Sequence, residues 1–255
     1  MPRSGNRSGL LSQALILAGL ALPSPASPEP TAGDLVSYRD QIEQGYNARD
    51  AQAIEATVAA LKEAGASSGL EDVATYYSAF ARLRQSAIPG MAKDRARDYL
   101  EQCIQELAPL VRRRHDDAPA RALHASCLGA SANHYVLRAA TRGIASSREM
   151  SAALTLAPDN PWVVLQDGIS DFLTPAMFGG NKARALGKLR RAEQLFVASR
   201  PAGSTSPVFG EAETWLYIGR IQLALGQTDQ ARKSLARART LAPASADVRD
   251  EIAKL

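Results

Sequence analysis

Residues 212 to 245 read AETWLYIGRIQLALGQTDQARKSLARARTLAPAS, and the spacing of their small residues limits the fold more than any other feature. Trp215, Ile218, Gly219 and Gln222 stand at i, i+3, i+4 and i+7, one face of a helix, and Ala231, Leu235 and Ala238 form one face of a second. Gly226-Gln227-Thr228-Asp229 separates the two stretches and Pro243 closes the second. Helix axes that cross at roughly 8 to 10 Å need slim residues where they approach most closely, so Gly219 and Ala231 read as the contact point of an antiparallel helix pair. A chain built from such pairs is all-α. The remaining composition agrees: aromatics make up 5% of the residues, and no sustained period-two alternation bounded by hairpin turns occurs anywhere.

The run Trp215-x2-Ile218-Gly219, then Ala231-x3-Leu235-x2-Ala238 and Pro243, resembles the tetratricopeptide repeat (TPR), whose pattern is W-x2-L-G-x2-Y, A-x3-F-x2-A and a closing Pro. Gln222 departs from it, standing where the repeat carries an aromatic residue. Shorter versions recur upstream: Phe80 and Leu83 with Ala96, Leu100 and Cys103; Leu128-Gly129 with Met150, Ala153 and Pro158; and Trp162, Leu165 and Ile169 with Ala185, Leu189 and Ala192. Residues Arg138 to Ile144 stretch the second of these units, and Thr174 to Gly180 stretch the third. The expected architecture is a TPR-like α-solenoid of about four to five helical hairpins. A degenerate capping hairpin spans 27–69, the repeats span 70–245, and an amphipathic tail at 246–255 covers the last face. In the first hairpin Ile54, Val58 and Leu61 share a face that lacks the small-residue spacing.

The segments LAPDNPW, LTPAMFGGNKARAL and PVFGEAETWLYIGR resemble a group of exported bacterial TPR proteins, with Asn181 in place of the Gly or Asp that the likeness leads one to expect. That likeness implies an envelope setting and no particular activity. The first residues read the same way independently. Two arginines, Arg3 and Arg7, precede an apolar run from Leu10 to Leu22, and Ser24-Pro25-Ala26 supplies small residues for cleavage, so residues 1–26 read as a signal peptide and the mature protein as periplasmic. The apolar run is short of the roughly 20 residues a spanning helix needs, and no second one follows, so no stable membrane insertion is expected after cleavage. Loss of Arg3 and Arg7 lowers the formal charge from +4 to +2, too little for a nucleic-acid surface. Cys103 and Cys127 are the two cysteines of the sequence. An oxidising compartment invites a disulfide between them, while their helical spacing equally suits two small buried packing residues.

Catalytic vocabulary is sparse. His115, His124 and His134 belong to no metal-ligand spacing, and His115-Asp116-Asp117 follows Arg112-Arg113-Arg114 at an apparent helix end, where cations meet the negative end of the helix dipole. Phe178-Gly179-Gly180-Asn181-Lys182 lacks the spacing of a phosphate-binding loop; its glycines suit positive φ and Asn181 suits a helix cap. No nucleophile, base or carboxylate pair stands out, so neither an enzyme nor a cofactor or metal is expected. The expectation is a scaffold or adaptor that binds a protein or peptide along a concave face lined by first helices. Residues one step round from the packing face would line it: Leu216, Arg220 and Leu223 in the last repeat, Val163 and Asp167 in the one before, and Ser126, Asn133 and His134 before that. The apolar turn around Pro175, Met177 and Phe178 either folds back on its own repeat or forms a lip of the site. The alternative is a helical-repeat small-molecule carrier of an envelope transport system, its pocket closed by the insertions.

Overall fold

The computed structural model describes residues 32–134, 138–199 and 209–255; the expected signal peptide lies outside them. Among the described residues the helices are α1 (Ala32–Asn47), α2 (Ala51–Ser68), α3 (Glu71–Ser86), α4 (Lys93–Arg113), α5 (Ala118–Ala132), α6 (Ala139–Leu156), α7 (Pro161–Leu173), α8 (Lys182–Ala198), α9 (Glu211–Ala224), α10 (Thr228–Leu241) and α11 (Ala246–Ile252). No strand occurs among them. Each odd-numbered helix from α1 to α9 pairs with the even-numbered helix that follows it, each hairpin packs on the next, and α11 lies against α10 and α9. The result is an all-α solenoid.

Side-chain caps set where several helices begin. Asp50 accepts from the backbone N–H groups of Gln52 and Ala53, Asp117 from Ala120, Asn160 from Trp162 and Val163, and Asn181 from Arg184. Each satisfies N–H groups that have no partner inside the helix. Gly69, at φ 68°, ends α2 in a left-handed turn that a side chain would strain.

Close approach within the last hairpin is set by glycine. A Cβ on Gly219 would sit 2.7 Å from Leu235 Cδ2, and in the preceding hairpin a Cβ on Gly168 would sit 2.7 Å from Leu189 Cδ2. Matching those two contacts corrects the register of α7. Val164 and Gly168 take the places of Trp215 and Gly219, so the repeat frame lies two residues beyond the Trp162-x2-Leu165 frame expected from sequence. Trp162, partly buried, packs at the edge of that hairpin's core cluster and against the cluster around Phe80 as well. In the corrected frame Asp171 corresponds to Gln222, and both positions hold buried polar contacts to the second helix: Ser234 donates to Gln222 Oε1 at 2.7 Å, and Arg184 and Lys188 pair with Asp171. A hydrogen bond thus replaces the aromatic contact of the repeat pattern.

The first hairpin uses small residues too, at places the spacing does not announce. A Cβ on Gly45 would lie 2.7 Å from Ile54 Cγ1, and one on Gly65 would lie 2.4 Å from Ala74 Cβ. Between α4 and α5 the two sulfur atoms are bonded: Cys103 and Cys127 form a disulfide with Cα atoms 6.2 Å apart, both side chains wholly buried. That settles the alternative left open by the sequence. The disulfide ties the second hairpin to the third in the middle of the largest core cluster, which also contains Phe80, Leu107, Leu110 and Leu123.

Candidate binding cleft on the concave face

First helices touch one another across successive hairpins, α1 with α3, α3 with α5, α5 with α7 and α7 with α9, which makes them the inner side of the curve. The curve is tight enough that its two ends meet. Tyr46 on α1 donates to Asp247 on α11 at 3.0 Å, Asn47 Oδ1 accepts from the backbone N–H of Ala246 at 3.0 Å, and Arg49 pairs with Asp250. Deeper inside, Arg84 on α3 bonds Glu43 on α1 at 2.7 Å and both carboxylate oxygens of Glu213 on α9, at 2.9 and 3.0 Å.

Within this closed curve cavities open between the described residues, and two of them adjoin. The first, about 260 Å³, is walled by Tyr76, Tyr77, Phe80, Trp162 and Phe209, with Pro119 and Asn160 at one side and Arg39 above. The second, about 290 Å³, is lined by polar and charged groups including Glu43, Tyr46, Arg84, Glu213 and Asp247. Arg39 and Phe209 belong to both walls, so the two are neighbouring chambers of one cleft. The rings meet at angles usual for aromatic clusters: Trp162 and Phe209 are 5.2 Å apart and tilted by 32°, and Phe80 stands edge-on to each. The Arg39 guanidinium lies 4.4 Å above the Phe209 ring, and that of Arg84 lies 5.0 Å from Phe80.

Electrostatics differ between the chambers. Burial, with the neighbouring Glu213, pushes the Glu43 carboxyl above the usual carboxylate range, although Arg84 opposes the shift. Burial works against the charge of Arg84, yet Glu213 and Glu43 hold its pKa well above the ordinary arginine value. Two carboxylates therefore share one guanidinium. In the aromatic chamber, burial raises the Tyr76 hydroxyl, so it stays protonated and neutral. The Trp162 Nε1 atom is buried there, beside the Tyr76 hydroxyl, with which it interacts.

The residues expected to line the concave face are not brought together. Val163 is 0% exposed and packs with Ala118, Ala122, Ala125, Met150 and Ala153, because α7 turns that side toward the third hairpin. Asp167 pairs with Lys188 at 3.0 Å within its own hairpin. Leu216 is a wall of the polar chamber and is itself buried against Leu235 and Val248. Leu223 packs at the edge of that cluster, and Arg220 is occupied by Glu251 at 2.9 Å and Asp247 at 3.3 Å. The tail helix α11 thus covers the last repeat's share of the expected groove. Ser126 faces the inner side and donates to Gln166 Oε1 at 2.8 Å, whereas Asn133 and His134 lie at the end of α5 remote from Pro119. Phe178 and Met177 are 66% and 83% exposed in the short 3-10 turn Ala176–Phe178, so these two side chains do not pack back on their own repeat, although Asp171 and Arg184 hold the backbone of the insertion against it, and it lies at the end of α7 away from Trp162.

Sequence reasoning missed Arg39, Tyr76, Tyr77, Phe80 and Phe209 as cleft residues. The one available signal was their composition, since the cleft concentrates rings in a chain that has few. His124 is buried with both ring nitrogens unpartnered among the described residues, and burial, reinforced by Arg121 and Arg112 against Glu149, lowers its pKa. It is a neutral core histidine. Among the described residues no group of three His, Cys, Asp or Glu side chains is arranged to hold a metal ion.

No family model matches the chain, and no curated protein matches it. Solved structures do. A thermophilic TPR protein of Thermus thermophilus superposes with a TM-score of 0.60 at 16% identity, covering 86% of this chain and 97% of that one. The fold is TPR-like. The HusA haemophore of Porphyromonas gingivalis superposes with a TM-score of 0.53 at 22% identity, covering 73% of this chain and 94% of the haemophore. Identities this low establish the TPR-like fold alone. Within that fold the concave cleft is the feature that the pairing pattern by itself does not dictate.

Proposed function

We propose that the protein is a non-enzymatic binding module, exported to the periplasm, that holds a protein or peptide partner at the cleft of its concave face. The observation that carries this reading is the aromatic chamber formed by Tyr76, Tyr77, Phe80, Trp162 and Phe209 under Arg39, a half-open apolar recess next to charged groups. Interface anchors are of this kind, large rigid rings with an arginine, concentrated in one partly desolvated place. The buried Cys103–Cys127 bond supports export, since disulfides persist where thiols are not kept reduced. No described helix is long and apolar enough to cross a membrane, in keeping with a released mature chain.

A photo-crosslinking amino acid in place of Tyr77, compared with one in place of Phe178 and one in place of Arg232 on the outer surface, tests the reading in extracts of the protein's own cell envelope. A discrete adduct from position 77 alone supports it. Adducts from 178 or 232 without one from 77 move the site off the concave face.

The second reading, a small-molecule carrier, is favoured by the size of the chambers. Volumes of about 260 and 290 Å³ hold a ring or a side chain and not a length of extended chain. The likeness to a haemophore is compatible with it, in that a fold of this kind serves a ligand carrier. A co-purifying metabolite, with no protein adduct at position 77, would favour this reading over the first.

A further inference from the structure

We infer that the turn between α7 and α8, together with the neighbouring turn between α9 and α10, is a docking edge for an anionic lipid surface, with its apolar side chains in the membrane interface and its cations at the headgroups. The contact is peripheral and stands apart from the cleft.

Of the eight large apolar side chains exposed among the described residues, four stand at this one end of the last two hairpins: Leu173, Met177, Phe178 and Leu225. Lys182, which opens α8, donates to the Ala224 carbonyl at the end of α9 at 3.4 Å, and that contact sets the two turns side by side. The backbone beneath the exposed side chains is fixed. The N–H groups of Phe178 and Gly180 both donate to the Pro175 carbonyl, that of Gly179 to Ala176, and that of Asn181 to the Asp171 carboxylate. Arg184 bonds both Asp171 and the Gly179 carbonyl at 2.6 Å, and a Cβ on Gly180 would lie 1.8 Å from the Thr174 carbonyl oxygen, so the turn is closed on itself. Met177 and Phe178 are thus held outward before any partner arrives, and docking need not order the turn.

Two properties choose a lipid surface as the occupant. The backbone N–H groups of residues 178 to 181 are all satisfied within the insertion and its own helix, which is the condition for entering a medium poor in water. The charge framing the apolar side chains has one sign. Lys182, Arg232 and Lys233 are exposed and form no ion pair among the described residues, the first turn of α8 carries no acid, and that of α10 carries Asp229 alone. Asp171 is buried and committed to Arg184 and Lys188. Protruding Phe, Met and Leu side chains beside unpaired cations match the boundary between headgroups and acyl chains of an anionic bilayer.

The test uses the full mature chain with vesicles of phosphatidylcholine alone and of phosphatidylcholine with about a third phosphatidylglycerol. Flotation should show binding about tenfold tighter to the anionic vesicles, weakening as salt rises. Phe178→Ser should weaken that binding about tenfold, and Lys182→Gln and Lys233→Gln about fivefold each. Thermal melting should be unchanged in all three, since the substituted side chains are exposed. A nitrobenzoxadiazole dye on Phe178→Cys should brighten and shift to the blue on anionic vesicles, while the same dye on Gln194→Cys, exposed farther along α8, should not.

Absence of flotation, equal flotation with both vesicles, or flotation without a change in the dye at position 178 overturns the inference. A protein adduct from a photo-crosslinker at position 178 in envelope extract, with no binding to vesicles, assigns the edge to a protein partner and overturns it as well. An adduct from position 77 is independent of each of these results, so failure of the lipid contact leaves the cleft reading standing, and failure of the cleft reading leaves the lipid contact to its own test.

Discussion

The contact between α9 and α10 and the contact between α1 and the far end of the chain are built by opposite means. In the first, Gly219 admits Leu235, Ala231 and Ala238 are wholly buried, and the surface is mostly apolar, with the Gln222–Ser234 bond and the Arg237–Glu211 pair as polar contacts across it. In the second, the helices hardly pack at all, and long polar side chains cross the gap: Arg84 to Glu43 and Glu213, Tyr46 to Asp247, Arg49 to Asp250. Short-range pairing can use slim residues because the connecting turn already holds the helices together. Closure across some two hundred residues has no such help, and it leaves space between the side chains that make it. That space is the cleft.

Substitutions at either contact should separate the two. The largest effect is expected from Arg84→Gln, which leaves Glu43 and Glu213 without their shared cation; breaking a buried pair in this way costs about 3 to 5 kcal/mol. The loss should depend on pH. The folded protein raises the Glu43 pKa above its ordinary 4.5, so protonated Glu43 is the form the fold favours, and the stability tied to it is present at low pH and lost as pH rises through the raised value. Thermal melting of the variant should therefore show the deficit greatest at neutral pH and diminishing toward pH 4.5. A deficit independent of pH would mean that the carboxylates are not what Arg84 holds.

Gly219→Leu should cost about 1 to 3 kcal/mol by overpacking against Leu235, and Gly168→Leu should cost a similar amount against Leu189. Equality of the two would confirm the shifted register of α7, and a silent Gly168→Leu would restore the Trp162 frame. Arg220→Glu places a third carboxylate beside Asp247 and Glu251 and should cost about 1 to 2 kcal/mol through loosened docking of α11, whereas Arg232→Glu on the exposed side of α10 should cost under about 0.5 kcal/mol. Chemical denaturation of the two charge reversals checks this directly. The smallest effect is a slope. His124 has a lowered pKa, so protonation favours the unfolded chain, and stability should be full above its ordinary 6.5 and decline as pH falls through that value. His124→Leu should flatten that part of the stability–pH curve.

Legibility in the sequence followed the same division. Hairpins could be read because their signals are local: the cap at Asn181, turns, and Gly219 one helix away from Ala231. The α7 frame was misread because Trp162-x2-Leu165 copies the spelling of the repeat while Gly168 performs the close contact. Cleft residues escaped notice because Arg39, Phe80 and Trp162 come from three separate hairpins and Phe209 from the turn before α9, and no spacing within one helix records a meeting that depends on how far the stack curls. For the same reason Arg220 read as an open groove residue, since nothing near it in sequence reveals that α11 returns to pair with it.

Closure of the curve is the claim on which the cleft depends, and a distance across the closure tests it most directly. Spin labels on cysteines at the exposed positions Ala48, beside α1, and Ala253, just after α11, report that distance by pulsed electron resonance, with the native cysteines already paired to each other. The closed solenoid predicts one short, narrow distance distribution, which broadens and lengthens in Arg84→Gln. A broad or long distribution in the protein with Arg84 intact would contradict it.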